Sequence, residues 1–230
     1  MQSFRMTFFR GLSLLLAPLA LTAATFEGQI DMKMTEGRQS FNVSYQTKAN
    51  HLRIVMPVPG MGESAAIVNL EEGKILTLIP QMRAYMEIPF DTTANAVASQ
   101  TTKAGELKKT DEITEILGYT CTKYLYDDNE GTVEIWATDQ LGQFVSMPKG
   151  NPMQGGGAAK AGWESAISGD FFPMRLVALD QRSRERLRWE VTAVKPMSLP
   201  DSLFTVPEGY QPFNMGGLMQ GLGGLMGGRN

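Results

Sequence analysis

Residues 26–35 read FEGQIDMKMT and residues 41–46 read FNVSYQ. In the first stretch Phe26, Gly28, Ile30, Met32 and Met34 alternate with Glu27, Gln29, Asp31, Lys33 and Thr35. In the second, Phe41, Val43 and Tyr45 alternate with Asn42, Ser44 and Gln46. A period of two places alternate side chains on opposite faces of a strand, so each stretch has one apolar and one polar face. The turn residues Glu36–Arg38 join the two into a hairpin. This hairpin decides the fold class: an antiparallel sheet, dry on one side and wet on the other.

The pattern continues downstream. Lys48–Asn50 turns into a strand over His51–Met56, and PVPGMG at 57–62 breaks the chain. A meander follows, with strands at Ala65–Leu70, Lys74–Ile79 and Arg83–Ile88. A second β block spans Asp111–Thr138, with Gly118 as a bulge or bend and Asp127–Gly131 as a hairpin turn. In it Val133, Ile135 and Ala137 share a face. Two more strands, Phe171–Leu179 and Ser183–Lys195, close the sheet. In the latter Leu187, Trp189, Val191 and Ala193 oppose Arg184, Arg186, Arg188 and Glu190, which read as a solvated face. Helix is expected in two places: a short helix or surface excursion in the Ala/Thr-rich segment Asp91–Leu107, and about three turns at Ala158–Ile167. MPKGNPMQGGG at 147–157 reads as a mobile loop. The expected fold is therefore mainly β: a curved antiparallel sheet or half-barrel with one or two helices packed in its concave face.

Upstream, residues 1–24 read as a cleavable secretory signal peptide. Arg5 and Arg10 form the basic start, a leucine-rich run from Gly11 to Leu21 follows, and Thr22, Ala23 and Ala24 supply the small residues for cleavage. The expected cut follows Ala24, with Ala23 as the alternative. The apolar run contains Pro18 and is shorter than the roughly 20 residues a spanning helix needs. No cysteine stands at the cut to carry a lipid anchor. The expected organisation is signal peptide 1–24, one β-rich domain 25–213, and a flexible Gly/Met/Leu-rich tail 214–230. The expected location is the periplasm or the exterior.

Removing Arg5 and Arg10 leaves 19 basic against 24 acidic residues, a net charge of −5. That balance offers no footprint for nucleic acid and little attraction to anionic membranes. Cys121 is the only cysteine and His51 the only histidine, so neither an internal disulfide nor a Cys/His zinc site can form. A serine–histidine–acid triad would have to use His51, which stands in no motif. There is no phosphate-binding glycine loop and no nucleophile elbow. Acidic pairs such as Asp127–Asp128 sit in turns. No enzyme, cofactor or metal is expected. Copper(I) on the tail residues Met215, Met219 and Met226 is a minor reading beside core filling by methionine.

Four stretches carry a family resemblance: FEGQIDMKMT, LIPQMRAYMEIP, ITEILGYTCTKYLYDD…GTVEIWAT and LPDSLFTVPEGYQPF, in this order. Together they resemble a bacterial family of exported proteins defined as a domain of unknown function, family 4412. That family is similar in outline to the lipoprotein carriers LolA and LolB, which are half-barrels with an apolar cavity for acyl chains. The resemblance implies that fold, and by analogy a non-enzymatic periplasmic carrier or sensor of a lipid or other apolar ligand. The apolar face expected to hold the ligand is Ile30, Met32, Phe41, Val43, Val133, Ile135, Leu176, Trp189 and Val191. The alternative is a structural or interaction protein of the envelope, binding a partner protein through its tail.

Overall fold

The computed structural model describes residues 26–58, 62–89, 107–128, 131–145, 167 and 171–213. The alternating segments form strands β1 (Gly28–Glu36), β2 (Gln39–Lys48), β3 (His51–Val58), β4 (Gly62–Asn69), β5 (Lys74–Ile79) and β6 (Ala84–Pro89). The second block gives β7 (Leu107–Ile116), β8 (Tyr119–Asp128) and β9 (Gly131–Thr138), followed by β10 (Phe172–Asp180), β11 (Glu185–Pro196) and the short β12 (Gln211–Pro212). All twelve belong to one open sheet in the order β12-β6-β5-β4-β3-β2-β1-β11-β10-β9-β8-β7. Every pairing is antiparallel except the two-residue contact of β12 with β6, which is parallel.

Two meanders thus meet where β1 pairs with β11. The sheet is curved and open, as expected, but the expected helices in its concave face are not supported. Among the described residues the helical elements are two short 3-10 turns, Pro80–Met82 and Asp201–Phe204. The segment 91–106 and nearly all of 158–167 lie outside the described residues. The described hairpin connections reverse in a few residues, through left-handed backbone such as Leu117–Gly118. Gly118 is accordingly the turn of the β7–β8 hairpin. The irregularity in that pair lies instead between Lys109 and Ile113.

A second correction concerns β11. Its register with β1 shifts at Asp31/Met32, so that Asp31 faces Ala193 while Met32 faces Val191, and Thr192 is the extra residue. The bulge hands the inner face from Val191 to Val194, which pairs with Ile30, and displaces Ala193 from the row it was expected to join.

The outer face is polar along β1, β11, β10 and β9. Lys195 pairs with Asp31 at 2.5 Å, Arg175 with Glu190 at 2.9 Å, and Arg188 bridges Glu185 and Glu190. Lys123 reaches Glu112 and Glu134 and lies 5.7 Å above the Trp136 ring. These pairs match the expected solvated face, and as exposed pairs each contributes little.

At the β10–β11 turn Asp180 accepts the N–H groups of Arg182 (2.8 Å) and Arg184 (2.9 Å) and the Arg184 guanidinium at 2.6 Å. These bonds, the Arg184 side chain first, hold its carboxyl down at about 2. Because the folded value lies below the unfolded one, near ~3.9, the stabilisation is complete above pH ~4 and is lost as pH falls through about 2. A carboxyl-carbon NMR titration is expected to show this group titrating well below the exposed aspartates.

Over β3–β5 the outer face is apolar too. The run Ala65–Val68 is buried on both sides. The segment from Leu199 to Tyr210 crosses there and packs Leu199, Leu203 and Phe204 against Ala65, Ile67 and Leu78. It is tied down by Lys48, which reaches the Leu199 carbonyl and Asp201 at 2.7 Å each, by Arg53 donating to the Leu203 carbonyl, and by Glu27 accepting the Leu199 N–H. Phe204→Ala is expected to cost about 3 kcal/mol in urea unfolding. A change within about 0.5 kcal/mol would show that the strap does not seal that face.

Candidate functional site: the inner apolar face

Cross-strand pairing turns the alternating residues into rows on one face. Ile135 (β9), Leu176 (β10), Trp189 (β11), Met34 (β1) and Phe41 (β2) form one row. Val191, Met32 and Val43 form the next. Val194, Ile30, Tyr45, Ile54, Ala66 and Thr77 form a third, running to β5. Val133 pairs with Ala178 beside the first row. All nine residues expected on the apolar face therefore share a single surface. Eight are buried and Phe41 packs partly buried against them.

The surface is larger than the nine. It continues through Leu52, Ile54, Val68 and Ile75 in β3–β5, and Tyr126 in β8. The alternation of β3 and β5 carries the same signal and could have extended the face. Leu141, Phe144 and Ile167, from the connection between β9 and β10, join the same cluster. Their arrival over the sheet has no local sequence signal.

An aromatic group marks the middle of the face. Phe144 lies 5.1 Å from Trp189, 5.5 Å from Phe172 and 6.0 Å from Tyr45, centroid to centroid. Tyr45 is fully buried, and burial pushes its phenol far above the ordinary value, so the group stays neutral. Its oxygen accepts a long hydrogen bond, 3.4 Å, from the Val145 N–H. Two buried polar atoms on this face have no partner: Trp189 Nε1 and Thr77 Oγ1. The buried polar residues of the described chain are threonines and one serine, with no buried charge. The face can therefore hold apolar groups and offers isolated donors, but no acid–base pair.

Other sites offer less chemistry. A hollow of about 410 Å³ opens on the outer face beside Asp31, Asn42, Ser44, Glu63 and Thr192. Its Asp31 carboxyl is raised by burial but lowered more by hydrogen bonds from Lys195 and Gln29, so it is held ionised by structural partners. His51 stands at the start of β3 with its ring 5.9 Å from Phe204. Cys121 is free and buried, and burial pushes its thiol up, away from a reactive thiolate. Among the described residues no group of three His, Cys, Asp or Glu is placed to hold a metal ion, and no helix is long and apolar enough to cross a membrane.

Several solved structures are similar. An uncharacterized conserved protein from Thermus thermophilus aligns at 12% identity with a TM-score of 0.50, over 83% of this chain and 91% of that one. The Pseudomonas aeruginosa MucA/MucB complex aligns at 8% identity and TM-score 0.44, over 79% of this chain and 56% of that one. A putative outer membrane lipoprotein-sorting protein domain from Vibrio parahaemolyticus aligns at 6% identity and TM-score 0.32, over 77% and 88%. At these identities the Thermus likeness bears on the fold alone, and the other two are weaker likenesses of shape. No curated protein matches the sequence. The sequence model of one family, Domain of unknown function (DUF4412), matches residues 26–210, which is most of the chain and nearly all of the sheet, and the protein belongs to that family.

Proposed function

We propose that this protein is an exported, non-enzymatic carrier or sensor that holds a lipid or other apolar ligand against the inner face of its sheet. The observation that carries the reading is the continuous apolar face of Ile30, Met32, Val43, Ile135, Leu176 and Val191 along one curved open sheet, with Leu141, Phe144 and Ile167 packed against it among the described residues. A face of this kind suits a ligand that water rejects, since burying apolar area yields about 25 cal/mol per Å². Export supports the reading: residues 1–24 would be removed, residues 25–213 would fold as the ligand-holding domain, and 214–230 would remain as a tail. An apolar ligand needs such a protein where it must cross an aqueous compartment.

The test is native mass spectrometry of protein purified from the periplasm. The expected result is a mature chain beginning at Thr25, carrying one or more co-purified lipid masses. A clean apo mass, together with no displacement of the apolar fluorophore N-phenyl-1-naphthylamine by any lipid, would overturn the carrier reading.

A further inference from the structure

We infer that the tip of the β7–β8 hairpin, through Leu117 and Ile113, docks shallowly on the surface of a zwitterionic lipid bilayer. This goes beyond the carrier reading and stands whether or not the inner face holds a ligand.

Ile116 pairs with Tyr119, so Leu117 and Gly118 are the two central residues of the turn. Both have positive φ, +53° and +85°, the backbone of the tight turn that matches the twist of a hairpin and favours Asn-Gly. Gly118 fits it. Leu117 does not: a large side chain in left-handed backbone carries a steric cost that asparagine or glycine would relieve. Among the described residues the non-glycine positions with positive φ are Ala49, Arg83, Leu117 and Ser183, and Leu117 alone is large and apolar. Burial offsets little of the cost, because Leu117 is 51% exposed. The residue is therefore a poor choice for the turn, and what it adds is an apolar tip. Ile113, four residues earlier on the same strand, is 68% exposed. Large exposed apolar side chains among the described residues are Met82, Ile113, Leu117 and Met197, so half of them stand on this one hairpin. Ile116 and Tyr119, on either side of the turn, pack against the core and hold the tip in place.

The spacing favours a fluid surface over a protein. Along an extended strand Ile113 and Leu117 lie about 13 Å apart. A protein partner would need a fitted socket for each, whereas the headgroup–acyl boundary of a bilayer closes around each side chain separately. Charge decides which bilayer. Between Lys109 and Lys123 the hairpin has no cation and carries Asp111, Glu112 and Glu115, all exposed. Lys123 is itself engaged by Glu112 and Glu134. An anionic surface repels such a tip. A zwitterionic headgroup presents its ammonium outermost, where the carboxylates meet it while the two apolar side chains enter beneath. Two side chains bury little area, so the contact is weak and reversible.

The experiment is flotation of the mature protein with vesicles at millimolar lipid. One set is phosphatidylcholine with phosphatidylethanolamine, and the other replaces about one-third of that lipid with phosphatidylglycerol, enough to give a strongly negative surface. The wild type is expected to float with the neutral vesicles and less with the anionic ones. Leu117→Asn is expected to lower partition into neutral vesicles about tenfold, the worth of one leucine partly removed from water. The same variant is expected to melt at a higher temperature, because asparagine accepts the left-handed turn. Ile113→Thr keeps a β-branched residue in the strand and should also weaken flotation. A change that strengthens the fold while weakening the membrane contact separates a docking residue from a structural one. A wild type that floats with neither vesicle, as expected if the tip fits a socket on another protein, overturns the inference. So does stronger flotation with phosphatidylglycerol, or a Leu117→Asn variant that floats like the wild type or melts below it. Each of these outcomes leaves the carrier reading to its own test.

Discussion

Leu176→Asp is expected to abolish cooperative folding at neutral pH. Leu176 is fully buried, between Ile135 on β9 and Trp189 on β11, at the centre of the inner face. The substitution removes a core side chain, worth about 3 kcal/mol, and inserts a carboxylate beside the apolar Ile135 and the neutral indole of Trp189, with no counter-charge across either strand. The combined loss should exceed about 5 kcal/mol, comparable with the whole stability of an ordinary domain. The pH dependence follows from the same cause. Desolvation raises the folded-state pKa of the new carboxyl above its unfolded value. Its neutral form is tolerated better, so the defect is largest above that raised pKa and shrinks as pH falls through it. Urea unfolding followed by circular dichroism at pH 7 and pH 5 reads both effects. Lys33→Gln, on the exposed side of β1, is the control and should change stability by no more than about 0.5 kcal/mol. A wild-type melting curve for Leu176→Asp would mean that water reaches this part of the face.

Gly131→Ala is expected to destabilise the protein by about 3 kcal/mol although it removes no side chain. Gly131 opens β9 opposite Asp180, with φ of +143°, backbone that L side chains rarely adopt. A Cβ there would stand 2.0 Å from the Leu179 carbonyl oxygen, which is main chain and cannot swing aside. Either β9 or β10 must shift, and the pairs Val133–Ala178 and Ile135–Leu176 shift with it. The loss should appear in thermal unfolding, and ligand binding should weaken in parallel, because those pairs belong to the inner face. Gly118→Ala is the comparison. It is left-handed at φ +85° with open space around it, so only the backbone penalty of about 1 kcal/mol applies. Equal effects at the two positions would contradict the close approach at Gly131.

Strand placement was readable in the chain because alternation is a local property. Ile30, Met32 and Val43 lie on one face for the reason the sequence suggests, and the turns at Glu36–Arg38 and Glu71–Gly73 stand where turn residues cluster. Periodicity failed where one residue breaks it: the extra Thr192 exchanges Ala193 for Val194, and nothing in ERLRWEVTAVKP announces a bulge. The run Ala65–Val68 was readable as part of a strand, but its burial on both sides was not read from it, nor what covers the second side. The LPDSLF strap does so through contacts such as Arg53 to Leu203, which are 150 residues apart. For the site, the face was readable and the Tyr45–Phe144–Trp189 group was not. Phe144 reaches Tyr45 across about a hundred residues of chain, the separation of the Val145–Tyr45 hydrogen bond.

By itself the sequence determined an antiparallel β protein, its family, and which side chains share the apolar face, because alternation and turn chemistry act over a few residues. Only the tertiary structure decided that β1 meets β11, that the C-terminal strap seals the outer face of β3–β5, and that Trp189 is left with an unaccepted donor. Each of these depends on which distant segments come into register, a choice made by the burial of the whole chain and not by any stretch of it.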